Sequence, residues 1–188
     1  MKLHISNGND KLGEIPSLSL PPIKSCGDVK CADKCYAINI IRRFEHVRLL
    51  WEGNLKYYET SPQKFFSGTF FWLVRNIPSH FRWHVGGDCP DENYLDEMYT
   101  ISRSLPHIKF MMFTKRYSWI NSERVPSNMN VLLSMWPYMK NPPNTGLART
   151  WVRGDLRAPK DIFICKGKCT SCYQCWDKST KDILLRGH

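Results

Sequence analysis

Seven of the eight cysteines fall in two short runs, one near each end of the chain. Cys26, Cys31 and Cys35 lie within ten residues at C-x4-C-x3-C spacing, with a Gly and two Asp between them. Cys165, Cys169, Cys172 and Cys175 lie within eleven residues at C-x3-C-x2-C-x2-C spacing. A disulfide framework spreads its cysteines so that bridges close loops, and these do not. Closely spaced soft ligands suit a metal, above all an iron–sulfur cluster. The fold must therefore present two loops free to wrap metal. Three thiolates on the first run would leave one iron of a [4Fe-4S] cluster open, where a closed structural site wants four ligands. The bland alternative is three buried apolar cysteines. The second run is a complete ligand set for one cluster or one zinc, and its compression favours a four-iron cluster over zinc. Cys89 stands apart and reads first as buried and inert, and second as a neighbour of the first run, because it follows Gly-Gly-Asp.

A chain of 188 residues fits one domain or a domain with an appendage. The predicted division is 1–160 and a cysteine-rich segment, 161–188. Lys and Arg number 27 against 17 acids, a net charge of +10. That balance favours an anionic partner, such as nucleic acid, a nucleotide or a phosphorylated substrate, or simply keeps the surface soluble. The first residues lack the apolar run of a signal peptide. No stretch approaches the roughly 20 apolar residues of a membrane span. The expectation is a protein of a reducing cytoplasm, without a membrane partner.

Strand and helix patterns alternate. Strands are predicted at 15–20, 81–85, 109–114, 129–135, 150–152 and 161–164. A long helix is predicted over 32–59, breaking if anywhere at Gly53. Ser61-Pro62 predicts a helix start and a run over 62–76. Tyr94, Leu95, Met98, Ile101 and Leu105 make the apolar stripe of a helix over 91–104. Polar residues follow the strand ends: Gly86-Gly87-Asp88, Lys115-Arg116 and Ser134. This is the grammar of an α/β fold with its site on the C-terminal edge of a parallel sheet. A full eight-unit barrel typically needs about 250 residues. The expectation is a partial, open (β/α) barrel of about five or six units with a C-terminal cysteine-rich extension.

A three-cysteine loop after the first strand and Gly86-Gly87-Asp88 after a later one resemble features of radical S-adenosylmethionine enzymes. The usual cysteine spacing there is C-x3-C-x2-C, and the usual acid is Glu. A closer resemblance covers most of the chain. Asn9-Asp-Lys-Leu-Gly13, the loop ending Cys35-Tyr36-Ala37, His84-Val-Gly-Gly-Asp88, Phe113-Thr-Lys-Arg116, Asn130-Val131 with Ser134, and the C-terminal cysteines resemble, in order, the phage gene product 88 family. That family is itself distantly similar to radical S-adenosylmethionine proteins.

The resemblance implies a [4Fe-4S] cluster on Cys26, Cys31 and Cys35, with S-adenosylmethionine on the open iron. It implies Asp88 as acceptor for the ammonium, Gly86 and Gly87 as close-approach backbone, Lys115 or Arg116 as partner of the carboxylate, and Ser134 as a ribose contact. The second cluster would relay an electron from a reductant protein or bind substrate. A phage-encoded member would work in the host cytoplasm. Tyr36, Trp83 and Trp136 read first as core and second as cavity lining, and His84 first as structural. Two other classes compete with such an enzyme. One is a non-catalytic iron–sulfur electron carrier or redox sensor. The other is a zinc- or cluster-stabilised nucleic-acid-binding module, supported by the charge, by Arg149, Arg153 and Arg157, and by seven Trp for base stacking.

Overall fold

Phe110, Met111, Met112 and Phe113 form a continuous apolar run, and such a run is at home in a strand covered on both faces. In the computed structural model, which describes residues 2–27, 29 and 31–185, this run lies within β3 (Lys109–Thr114). Parallel neighbours flank it, β2 (His80–Trp83) on one side and β4 (Met129–Ser134) on the other. The sheet continues through β1 (Ser17–Leu18), β5 (Arg149–Val152), β6 (Phe163–Ile164) and β7 (Ile183–Leu185). Its order is β1-β2-β3-β4-β5-β7-β6, and every pairing is parallel.

Period-two alternation sorts the side chains onto two faces. Phe81, Trp83, Phe110, Met112, Val131 and Leu133 join the main core with residues of the helices. Met111 and Leu132 belong to a second core, with Leu12, Trp176, Ile183 and Leu185. Trp83 is thus a core residue, as first read.

Among the described residues, four α-helices accompany the sheet: α1 (Tyr36–Arg43), α2 (Glu45–Thr60), α3 (Pro62–Asn76) and α4 (Glu92–Ser104). All of them lie between β1 and β3. Later connections are turns and loops, so the strand–helix alternation stops halfway. The helix predicted over 32–59 is two helices. The break falls at Phe44, whose backbone is extended, and not at Gly53. Gly53 has open space around it, and an exposed glycine is tolerated in a helix at about 1 kcal/mol. α3 starts at Pro62 as expected, although Ser61 makes no side-chain cap bond. α4 is capped by Asp91, whose carboxylate accepts from Tyr94 N at 2.8 Å and from the Tyr58 hydroxyl at 2.8 Å. One acid therefore starts α4 and ties it to α2.

Residues 161–185 contribute β6 and β7 to the same sheet, and the second cysteine run is their connection. Asn9 Oδ1 accepts from Lys11 N and Leu12 N, shaping a turn whose Lys11 carbonyl accepts from Cys169 N at 2.9 Å. Asn130, buried on β4, donates Nδ2 to the carbonyls of Cys175 and Asp177 at 3.1 and 3.0 Å. Asn130→Ala strands these two carbonyls and is expected to cost about 2 kcal/mol. Urea unfolding measures the loss, and limited proteolysis should show earlier cleavage within 165–180.

Among the described residues no helix is long and apolar enough to cross a membrane.

Candidate functional site

The chain leaves β1 through Pro21-Pro22 and folds into a tight turn. Ser25 Oγ donates to the Pro21 carbonyl at 2.7 Å, and Cys26 N and Gly27 N donate to the Ile23 carbonyl. A 3-10 turn, Ala32–Lys34, follows Cys31 and delivers Cys35 to the N-cap of α1. All three cysteines line one cavity of about 720 Å3 at the C-terminal edge of the sheet. Gly86, Gly87, Asp88, Lys115 and Ser134 line the same cavity. A volume in the range of 300–1,000 Å3 accommodates a cofactor or small substrate. Residues scattered from 26 to 134 thus converge, because each follows the end of a parallel strand or caps the loop beside it.

Arg116 does not line this cavity. Its Nε donates to the Cys89 carbonyl and an Nη to the Ser25 carbonyl, each at 3.2 Å, and its guanidinium lies 4.4 Å over the Trp119 ring. A Cβ on Gly27 would approach it to 2.9 Å. Arg116 braces the turn that carries Cys26, and of this pair Lys115 is the cation on the cavity wall. Lys115 Nζ donates to Ser134 Oγ at 2.9 Å and lies 5.8 Å over the Trp136 ring.

Asp88 is buried, and backbone holds its carboxylate from two sides. Cys89 N donates to Oδ1 and Lys115 N to Oδ2, both at 2.8 Å. The acid therefore clamps the loop after β2 to the end of β3. Burial pushes its carboxyl upward, and these N–H donors oppose the rise. Burial raises the Cys26 thiol to about 11, with Asp88 adding and Lys115 opposing. Burial also raises Cys31, against the pull of Lys115. Thiols so placed are neutral unless a metal binds and ionises them.

His84 sits at φ +57°, buried beside Asp88 and Cys89. Ligand atoms of these three side chains lie within 4.8 Å of one another. Sequence reasoning left them separate, and their closeness in the chain was the only signal. One ring nitrogen of His84 meets the Tyr94 hydroxyl at 3.3 Å. Burial, reinforced by Arg82, depresses the His84 pKa from 6.5 to about 3. The unfolded chain binds this proton more tightly, so stability is complete above about pH 6.5 and falls as pH drops toward 3. The limiting slope is about 1.4 kcal/mol per pH unit. Denaturant titrations from pH 7 to 4.5 should show it, and His84→Asn, which suits a left-handed backbone, should flatten it.

The second run surrounds a much smaller cavity, about 20 Å3, lined by Cys165, Cys169, Cys172 and Cys175 with Trp176 and Ile183. Burial raises the Cys169 thiol and takes Cys175 up to about 12, with Arg82 and then Lys11 opposing. Among the described residues no three thiols of either run come within 4.8 Å of one another.

The family described as Gene product 88 matches residues 3–141. The matched part holds the first cysteine run and every residue named on the large cavity, and it ends before the second run. No curated protein and no solved structure matches.

Proposed function

We propose, from the premise that this chain belongs to the Gene product 88 family, that its large cavity binds a [4Fe-4S] cluster through Cys26, Cys31 and Cys35. The reading extends to S-adenosylmethionine as the ligand of the iron that has no thiolate, and so to a small radical-type enzyme. One observation carries it: the three cysteines, of which Cys31 is buried, share a cofactor-sized cavity with a cation, Lys115, and a buried, fixed carboxylate, Asp88.

The donor set fits the group. Three sulfurs leave room for an outside ligand. When bound, such a cluster supplies one electron for the reductive cleavage of a coordinated sulfonium. The chain's own residues do the rest. Lys115 favours the Cys31 thiolate and a ligand carboxylate, and it fixes the Ser134 hydroxyl toward the same space. Asp88 has lone pairs beyond the two that its backbone donors use, and these suit an ammonium. Arg116 holds the Cys26 turn against the Cys89 carbonyl.

The same reading gives the second run a [4Fe-4S] cluster in preference to zinc. The run's compressed C-x3-C-x2-C-x2-C spacing lacks the longer loop that separates the two ligand pairs of a zinc site. Its role is to relay an electron from a reductant protein. The open parallel sheet is read as a partial barrel, and the +10 charge as a preference for an anionic substrate.

Equilibrium dialysis of radiolabelled S-adenosylmethionine against anaerobically reconstituted protein tests the cofactor. The expected result is one equivalent bound by the wild type and affinity at least tenfold weaker in Lys115→Gln. Clusters without cofactor binding would leave an electron carrier or sensor. Zinc without iron, together with salt-dependent DNA retention, would favour the nucleic-acid module.

A further inference from the structure

Among the described residues, no carboxylate matches the buried charge of Arg82. Only 5% of its surface is exposed, and among the described residues no ion pair involves it. Its Nε donates to the His84 carbonyl at 3.3 Å, and its guanidinium lies 4.9 Å over the Phe113 ring. A further side-chain hydrogen bond joins it to Tyr36, the residue after Cys35. Neutral partners of this kind do not discharge a buried cation. An unpaired buried charge is costly, so buried charges are found paired or beside a metal centre.

The location of the missing anion follows from the sheet. Phe81 and Trp83 point into the helix-covered core, so Arg82 between them points to the opposite face. Phe113, over which the guanidinium lies, packs against the core on that face, which contains Cys169 and Trp176 and against which Cys165 and Cys175 also pack. Arg82 also lines the cavity of the first cysteine run. Lys11, Lys166 and Lys168 near the second run are exposed, where water screens them.

We infer that Arg82 is the counter-charge of Cys165, Cys169, Cys172 and Cys175 when these are ionised on a metal, and that it stands between this set and the first. The inference rests on metal binding by the second run and not on S-adenosylmethionine. Four thiolates outweigh a doubly charged metal centre, so either a cluster or zinc leaves net negative charge beside Arg82. The guanidinium then favours the ionised set, and in a cluster it favours the reduced state.

The test compares wild type, Arg82→Lys and Arg82→Gln after anaerobic reconstitution, with circular dichroism to check folding. In a potentiometric titration followed by electron paramagnetic resonance, Arg82→Gln should lower the potential of the C-terminal cluster, and that of the first cluster less. Arg82→Lys, which keeps the charge, should stay close to wild type. An unchanged potential in Arg82→Gln overturns the inference. So does an Arg82→Lys protein shifted as far as Arg82→Gln, because then the shape of the guanidinium matters and not its charge. If Arg82→Gln does not fold, Arg82→Met, which also removes the charge and keeps much of the side-chain volume, takes its place. Should the second run take zinc, which would end the iron–sulfur reading there, chelator competition replaces potentiometry. Zinc affinity should then fall at least tenfold in Arg82→Gln and stay within threefold in Arg82→Lys, and equal affinity in all three proteins overturns the inference.

Discussion

Cys31→Ala is expected to empty the N-terminal site, so that anaerobically reconstituted protein loses about four irons per chain. The remaining thiols, Cys26 and Cys35, are too few to hold a cluster against exchange into solution. The C-terminal set should keep its metal, because Cys31 lies in a separate small cluster with Trp136 and Val152. Truncating a buried thiol to a methyl costs only about 1 kcal/mol of packing, so the fold should survive. Iron analysis beside a thermal melt separates the two effects. If Cys31 is merely a small core residue, the melt moves and the iron does not.

Gly87→Ala should have the largest effect on folding. Its φ is +81°, and a Cβ there would lie 2.6 Å from the Leu20 carbonyl oxygen and 2.5 Å from Ser25 Oγ. The carbonyl is backbone and cannot rotate away. Ser25 Oγ already donates to Pro21 and accepts from Asp88 N at 3.2 Å. Strain and overlap together are expected to cost roughly 3 kcal/mol. Gly146 is the control. Its φ is +70°, but a Cβ there meets nothing within 4 Å, so Gly146→Ala should cost about 1 kcal/mol. Equal losses in the two variants would mean that backbone strain alone matters at Gly87.

The same geometry limits what the Gly-Gly pair says about function. A Cβ on Gly86 would meet the Trp51 ring at 2.2 Å, so α2 requires that glycine. Both glycines have packing reasons that need no ligand. Asp88 is similar, since its two backbone bonds make it a clamp whether or not it meets an ammonium. What remains specific to a cofactor is the convergence of the three thiols and Lys115 on one cavity.

Much of this was legible locally. Pro62 and Asp91 mark helix starts that depend on nearby atoms, and the Phe110–Phe113 run can be little other than a covered strand. The two cysteine runs were legible as candidate sites because ligand spacing is a property of a short segment. Other features depend on partners far along the chain. The break at Phe44 carries no Gly or Pro, so local signals pointed to Gly53. β7 is three residues long and is fixed by pairing with β5 and β6. Arg116 follows Lys115 directly, but successive residues diverge at a strand end, and only Lys115 reaches the cavity. Arg82 sat unremarked in an alternating strand, because nothing local says that a cysteine loop from 83 or more residues later covers its face.

The most direct test of the proposed cofactor site is the electron paramagnetic resonance spectrum of the dithionite-reduced, reconstituted protein, recorded with and without S-adenosylmethionine in the Cys169→Ala, Cys172→Ala double variant, which leaves the second run two thiols, too few for a cluster, and the first cluster as the observed species. A reduced-cluster signal that changes shape and g values when the cofactor is added is the predicted result, because only an iron without a thiolate can take the new ligand. A signal unmoved by saturating S-adenosylmethionine would contradict the proposal and leave the three cysteines without an open, cofactor-binding iron.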